Sequence, residues 1–440
     1  MARTVAAQLR RRWRQGADSF DGLGTDTIWS GVHDVAQLAS AFTSFLLLQR
    51  VLDPATYGAY IGLYGLLATF GAMSFAGAGL ALLQRLVGEG DDPDRTLRSF
   101  LSLTVVVGLA AASVAILIGA TTLGLGLTEV ALVVGAELFG AAVVFVSAML
   151  VQAASGFPAA TRVKLVVIVL RMAVLVTLFS TDSLTIANLG AGILVLFTVY
   201  AGYLLVVHLP RHGYRVSFGV PGTQAVRTSA MFSAPMGASR VQTDGDKYLL
   251  NLYGFAAEAG FYGLAYRMVL LGTLPLLALD TAAFQRFLPR GDGEPGLHWR
   301  RASHLGALML AASMATALAI YLALPAFGFL FSDGFEEAAE IVPWLLFLIP
   351  LIATSNAPMN GLLGLGRADA RMWIYLGAAA VSVVAYIVLI PVSGWRGAFW
   401  ASVIGESVLS VTSWSTLWVC QRRADRITGA SHVAATMSTA

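Results

Sequence analysis

Ionisable side chains that fall inside long apolar stretches are the residues of this sequence that could do chemistry. Hydrophobic residues make up 57% of the 440 positions and charged residues only 12%, so a charge within such a stretch is uncommon. Inside a bilayer it costs about 3 kcal/mol, and it normally faces the protein interior or an aqueous cavity. The residues concerned are His33, Asp34, Glu137, Arg171, Arg240, Asp244, Asp246, Lys247, Arg267, Asp280 and Glu406.

The densest of these groups is the stretch 240–247. Arg240, Asp244 and Lys247 have the spacing i, i+4, i+7, which places them on one face of a helix, while Asp246 points away from it. We expect this face to look into a cleft. Guanidinium and ammonium groups there would bind the oxygens of an anion, because arginine offers a bidentate fork and lysine offers a point charge.

Carboxylates in the same stretches suit another task, which is coupling transport to a proton or sodium gradient. Asp34, Asp244 and Asp246 are the candidates for ion coupling. The other interpretation is charge neutralisation, in which Asp244 balances its two basic neighbours in the stretch 240–247. In the same way, Glu137 would pair with Arg171 and lock two consecutive helices together.

ATP-driven chemistry is excluded because neither lysine of the sequence stands in a phosphate-binding loop. The chain has only Lys164 and Lys247, and it contains no G-x-x-x-x-G-K-[ST] phosphate loop. We therefore expect no ATP hydrolysis, and we predict no catalytic residue, no metal site and no cofactor. The net charge of +3 is small and gives no reason to expect a nucleic-acid partner.

The elements that must position these groups are membrane-spanning helices. About 20 mostly apolar residues cross a bilayer core roughly 30 Å thick, and windows of that length recur along the chain. We predict an all-α polytopic membrane protein with about twelve helices. The spans are 28–52, 59–83, 100–122, 130–151, 165–179, 184–207, 231–253, 261–284, 305–329, 341–363, 372–390 and 399–419.

Basic residues decide the orientation of these spans, because cytoplasmic loops are rich in lysine and arginine. With both termini in the cytoplasm, 22 of the 28 basic residues fall in inside segments. Only Arg50 and Arg396 fall in outside loops, where the acidic residues between 333 and 340 also lie. The sequence therefore predicts an N-in, C-in topology.

An internal repeat indicates that the spans form two six-helix bundles. A Tyr-Gly pair at 57–58 and a Gln-Arg pair at 84–85 recur at 262–263 and 285–286. Six crossings per half give the halves the same orientation and a cleft between them. Gly58 and Gly62 also have the G-x-x-x-G spacing of closely packed membrane helices. The predicted divisions are a basic cytoplasmic tail (1–26), an N-terminal bundle (27–208), a cytoplasmic linker (209–226), a C-terminal bundle (227–420) and a cytoplasmic tail (421–440).

Three stretches of the sequence, taken in order, resemble one family. They are Gln49-Arg50-Val51-Leu52-Asp53-Pro54 leading into Tyr57-Gly58, Asp246-Lys247-Tyr248-Leu249-Leu250 with 260–266, and Gly364-Leu365-Gly366-Arg367 with 389–398 and Glu406. Their order and spacing are similar to those of the Wzx-type polysaccharide flippases of the MOP superfamily, which also contains the MATE exporters. The resemblance implies a MATE/MOP-like fold.

The activity that the resemblance implies is export of an oligosaccharide linked to polyprenyl pyrophosphate, by alternating access across the inner (cytoplasmic) membrane. Arg240 and Lys247 are the leading candidates for binding such a headgroup, and Arg171 and Arg267 are the next candidates. The partners implied are this lipid-linked substrate, the membrane lipids and a polysaccharide polymerase or export machinery.

Two other functions stay open. A MATE-like, cation-coupled exporter of small organic cations needs a net acidic cavity, whereas the four deep basic residues favour an anion. A membrane glycosyltransferase or polymerase needs a long extramembranous loop or a catalytic carboxylate motif, and the predicted loops are short. We therefore expect a transporter and not an enzyme.

Overall fold

The computed structural model describes residues 21–89, 91–273, 275–277, 279–280, 287, 297–332 and 334–438. These residues are helical almost throughout, and none of them forms a strand. The helices of the first part are α1 (Asp21–Leu48), α2 (Pro54–Val87), α3 (Pro93–Thr122), α4 (Leu127–Ser155), α5 (Phe157–Ser180), α6 (Ile186–Arg211) and α7 (Thr223–Leu252).

The second part of the chain continues with α8 (Ala256–Gly272), α9 (Leu297–Ala323) and α10 (Glu337–Gly364). The helical stretch Ala368–Ser438 follows, and non-helical dihedral angles at Ser393 and Gly394 divide it into α11 (368–392) and α12 (395–438). Gly394 has a φ of 55°, which glycine adopts without strain. The predicted loop between the last two spans is therefore a sharp kink.

Each of the twelve predicted spans falls on one of these helices, and the predicted all-α fold is confirmed. Within the described residues, nine stretches are long and apolar enough to cross a membrane, and α11 and α12 form one of them. α7 is not among the nine because polar and charged residues interrupt it. α8 is described as a helix over only 17 residues, and the last part of its predicted span lies outside the described residues. The N-in, C-in topology stays a prediction.

The start of α2 explains part of the stretch 49–54. The carboxylate of Asp53 accepts hydrogen bonds from the N–H groups of Ala55 and Thr56, each at 3.1 Å, and Pro54 takes the first helical position. Hydrogen bonds from Thr56, chiefly that of its side chain, lower the pKa of Asp53. The Asp-Pro pair is therefore a helix N-cap.

Three of the helices contain π-helical turns, each of which inserts one extra residue into the helix. They occur at Ala72–Ala76 in α2, at Arg85–Glu89 where α2 ends, at Gly135–Gly140 in α4 and at Leu204–His208 in α6. Such turns are common at functional sites. The turn in α4 bears on the site because it carries Glu137.

The predicted linker 209–226 is fastened to α3. Asp94, Arg98 and Ser102 are spaced four residues apart on one face of that helix, and each binds the linker backbone. The three bonds are Asp94 Oδ1 from the N–H of Arg215 (2.9 Å), Arg98 Nε to the carbonyl of Phe218 (3.1 Å), and Ser102 Oγ from the N–H of Gly219 (2.8 Å). This segment is therefore an ordered strap that leads into α7.

Contacts divide the chain into two compact units. The first comprises the described residues up to Gly260 together with Ser332 and Gly334, and the second comprises the remaining described residues. By packing, α7 belongs to the first unit, whereas the predicted domain division at 209–226 stays a prediction. Tyr57 and Tyr262 are both fully buried, which is compatible with the repeat. The second Gln-Arg pair of the repeat lies outside the described residues.

Candidate functional site

α7 carries the charged stretch 240–247 and lies against a glycine-rich face of α2. A Cβ on Gly65 would stand 2.5 Å from the backbone carbonyl oxygen of Asp244. A Cβ on Gly62 would stand 2.5 Å from the side-chain amide nitrogen of Asn251. Asn251 Nδ2 also donates a hydrogen bond of 2.8 Å to the carbonyl of Gly58. The predicted close packing at Gly58 and Gly62 is confirmed, and the partners are α7 at Gly62 and the start of α8 at Gly58.

Lys247 is the most enclosed basic residue of this stretch, with only 5% of its side chain exposed. Its Nζ lies 2.8 Å from Asp246 Oδ1, 2.5 Å from the carbonyl oxygen of Thr243 and 3.8 Å from Asp244 Oδ1. The expectation that Asp246 points away from this group is wrong. The reason is the four-carbon lysine stem, which folds back along α7 towards its N-terminus and brings the ammonium to Asp246.

Arg240 lies at the exposed end of the same group. Its side chain is 56% exposed, and its guanidinium donates to Asp244 Oδ2 at 3.4 Å. Asp244 thus uses one oxygen for Arg240 and the other for Lys247, as the charge-neutralising interpretation predicts. Arg240 and Lys247 differ sharply in access, although both belong to one helical face.

Arg171 of α5 lies in a second polar cluster of the first unit. Its guanidinium forms an ion pair with Glu137 in the π turn of α4, and it donates to Tyr64 Oη at 3.1 Å. The rings of Tyr64 and Phe197 lie 5.9 and 5.8 Å from its Cζ atom. The ion pair predicted between α4 and α5 is therefore present. A role of Arg171 in binding stays a prediction.

The two clusters approach α2 from opposite sides. Successive residues of a helix are rotated by about 100°, so Tyr60 and Tyr64 lie about 200° around the axis from Gly58 and Gly62. The glycines face α7, and Tyr64 faces Arg171. The structure therefore does not bring Arg171 into one binding group with Arg240 and Lys247.

The remaining predicted residues lie elsewhere. Asp34 of α1 is 46% exposed and sits 3.2 Å from His33 Nδ1; within the described residues, no hydrogen bond joins it to Asp244 or Asp246. Arg267 is half-buried in α8 and belongs to the second unit. The second unit also holds Asp280, whose Oδ1 accepts a hydrogen bond of 2.7 Å from Asn360.

Sequence reasoning missed three contributors to these clusters, namely Thr243, Asn251 and Tyr64. Asn251 follows Lys247 by four residues, and its side-chain amide donates to the backbone carbonyl of Lys247 at 2.8 Å. Helical spacing could therefore have predicted that Asn251 lies next to Lys247. Tyr64 is 107 positions from Arg171, and no local pattern connects them. Among the described residues, no group of three or more His, Cys, Asp and Glu side chains is placed to hold a metal ion.

No protein-family model matches the chain, and no curated protein matches it in sequence. Solved structures match it. A multidrug resistance MATE family transporter of the MOP superfamily, in an inward-facing conformation, matches with a TM-score of 0.68 and 15% identity over 89% of this chain and 96% of that one. An outward-facing structure of a multidrug resistance MATE family transporter of the MOP superfamily matches with a TM-score of 0.62 and 13% identity, over 92% of this chain and 96% of that one.

A third structure is a MOP superfamily transporter from Pyrococcus furiosus Vc1. It matches with a TM-score of 0.63 and 15% identity, over 91% of this chain and 96% of that one. Its description states that the reverse polarity of its binding pocket suggests a different function. At such identities the likeness establishes the fold, and this chain has the fold of the MATE family transporters of the MOP superfamily.

Proposed function

We propose that the chain is a multi-pass membrane exporter that works by alternating access. The support is its fold, because the solved structures that share it include MATE family transporters in an inward-facing and in an outward-facing conformation. The sequence lacks a phosphate-binding loop, so the energy for transport comes from a source other than ATP bound to this chain.

For the substrate we propose an oligosaccharide linked to polyprenyl pyrophosphate, and the observation that carries this is the state of Arg240. Its side chain is 56% exposed, and the one hydrogen bond that it makes within the described residues is long, at 3.4 Å. A guanidinium has five N–H donors, so most of them are available to an anionic headgroup. The sequence resemblance to the Wzx-type flippases supports the same substrate class.

The other basic residues have a smaller part in this proposal. Lys247 and Arg171 are each held by a carboxylate, which leaves fewer donors for a substrate. Arg267 stays a candidate in the second unit. We propose the cytoplasmic membrane as the location, and a polysaccharide polymerase or export machinery as the partner, because a lipid-linked product delivered to the outer leaflet must be consumed there.

A second candidate is a cation-coupled exporter of small organic cations. The observation that favours it is the balance of charge in the first unit. Three of the candidate basic residues are matched by three carboxylates, in the pairs Arg171–Glu137, Arg240–Asp244 and Lys247–Asp246. These clusters lack the predicted excess of positive charge, so the proposal of an anionic substrate depends on Arg240.

Vesicle reconstitution separates the two candidates. Purified protein is placed in vesicles that contain a fluorescent prenyl-pyrophosphate oligosaccharide, and a second set of vesicles is loaded with ethidium. We expect the wild type to move the lipid across the bilayer, Arg240→Ala to slow this by about tenfold through loss of a charge-assisted contact, and Arg240→Lys to retain part of the rate.

The matched control is Arg367→Ala. This change removes an exposed arginine that is bound to Asp369 by hydrogen bonds of 3.1 and 3.2 Å, and we expect it to leave the lipid movement unchanged. Efflux of ethidium without movement of the lipid would favour the second candidate. Movement of neither compound would contradict the exporter.

A further inference from the structure

The ammonium of Lys247 is a cation that is already bound inside the first unit. Three oxygens lie near it: one from the carboxylate of Asp246, one from the carbonyl of Thr243 and, further away, one from Asp244. Asp246 is only 1% exposed, so water does not replace these contacts. Hard oxygen ligands of this kind are also those that small metal cations prefer.

Charge alternates along this group. The order is Arg240, Asp244, Lys247 and Asp246, with contacts of 3.4, 3.8 and 2.8 Å between neighbours, and the four charges sum to zero. Without the ammonium, the carboxylate of Asp246 would be a buried charge without its cation. Such a charge is strongly destabilising in a low-dielectric interior, and it is relieved when the carboxylate takes up a proton or a replacement cation.

The backbone that carries the oxygen ligands is held in place by packing that does not involve the lysine side chain. The backbone of α7 lies directly on α2, where a Cβ on Gly65 would stand 2.5 Å from the carbonyl oxygen of Asp244 and one on Gly62 would stand 3.3 Å from that of Lys247. Asn251 joins the two helices by its bond to Gly58. The course of this backbone, and with it the carbonyl oxygen of Thr243, should therefore survive removal of the ammonium.

We infer that Lys247 is a tethered cation, whose ammonium fills a monovalent-cation site made by Asp246, Asp244 and the carbonyl of Thr243. While the ammonium is in place, Na⁺ is excluded from this site. Removal of the ammonium opens the site to Na⁺. This inference concerns α7 and its ligands only, and it holds whichever substrate the protein exports.

The test uses the full-length protein in detergent and compares thermal unfolding in NaCl with that in N-methyl-D-glucamine chloride at equal ionic strength. We expect no Na⁺-specific stabilisation of the wild type. For Lys247→Ala we expect Na⁺ to raise the midpoint by about 3 °C or more, because a ligand that binds only the folded state stabilises it. Lys247→Met, which keeps the length of the side chain but not its charge, serves as the second variant.

Two controls identify the ligands. Asp246→Asn added to Lys247→Ala should abolish the effect of Na⁺, and Arg240→Ala, which removes the neighbouring exposed cation and leaves the ammonium, should show none. Equal midpoints of Lys247→Ala in both media would overturn the inference, and so would a Na⁺ effect in the wild type that Asp246→Asn removes. If neither lysine variant is recovered as folded protein even in NaCl, Na⁺ does not replace the ammonium and the inference is also contradicted.

Discussion

Arg171 shows how a guanidinium is accommodated among apolar helices. The carboxylate of Glu137 balances its charge, Tyr64 Oη accepts one of its N–H groups at 3.1 Å, and the ring of Phe197 lies 5.8 Å from its Cζ atom. These partners come from three different helices, and Arg171 itself belongs to a fourth. The arginine therefore joins α2, α4, α5 and α6 at one point.

Removal of one member of this ion pair should destabilise the protein more than removal of both. Glu137→Gln or Arg171→Met leaves one buried charge unpaired, and we expect each to lower the free energy of unfolding by about 3–5 kcal/mol. The double variant leaves no unpaired charge and should lose much less than the sum of the two. Denaturant unfolding in detergent of all four proteins measures the coupling, and simple additivity would show that the pair contributes no interaction of its own.

The residue contacts differ in how far sequence could predict them. Glu137 and Arg171 have opposite charges on consecutive helices, and that relation predicted their pairing correctly. Lys247 and Asp246 are adjacent in sequence, and helical spacing assigned them to different faces. Helical spacing gives only the direction of the Cα–Cβ bond. It does not predict the contacts of a lysine, because the ammonium lies several ångströms from its own Cβ.

At the scale of elements, the seam between α2 and α7 holds the polar group of α7 in place. Gly58, Gly62 and Gly65 recur along one face of α2 and allow the backbone of the neighbouring helix to approach directly. The same face meets the first turn of α8, since a Cβ on Gly58 would lie 1.8 Å from the carbonyl oxygen of Ala256. The glycines thus fix α7 and the start of α8 against one helix.

Substitution of Gly58 tests this seam. Gly58→Ala should destabilise the protein by about 1–3 kcal/mol or more, because the added methyl group meets a backbone atom that has no side-chain freedom. The matched control is Gly202→Ala in α6, where a Cβ would meet nothing within 4 Å, and we expect a change within about 0.5 kcal/mol. Thermal unfolding of the two variants in one detergent compares them. Equal stabilities would show that the helices separate without cost.

Apolar length predicted the existence of the helices, but the local pattern did not predict their interruptions or their partners. The kink at Ser393 and Gly394 replaces a predicted loop, since Gly394 turns the chain within one residue. The π turns have no periodic signature, because a single inserted residue hardly alters an apolar stretch. The G-x-x-x-G spacing predicted close packing, yet the identity of α7 as the partner depends on contacts nearly 200 positions apart.

At the scale of the whole chain, contacts between helix ends agree with alternate crossings. The strap after α6 binds the start of α3, and the end of α10 lies at the start of α9, where a Cβ on Gly364 would stand 2.5 Å from His298 Nδ1. In each contact, an even number of predicted crossings separates the two helix ends. Such ends lie on the same side of the membrane, as the predicted order of spans requires.

The remaining question of orientation is which of these two sides faces the cytoplasm, and single cysteines on either side of α6 answer it. Cys420 is the only cysteine of the chain, so Cys420→Ser gives a cysteine-free background. Ser180→Cys at the end of α5 and Ser217→Cys in the strap are matched changes at exposed positions. Because basic residues collect in the strap and its neighbouring segments, the positive-inside rule places Ser217 in the cytoplasm and Ser180 outside.

In intact spheroplasts, a membrane-impermeant maleimide should label Ser180→Cys, and it should label Ser217→Cys only after permeabilisation. The reverse pattern would invert the predicted topology, whereas labelling of both without permeabilisation would mean that α6 does not cross the membrane.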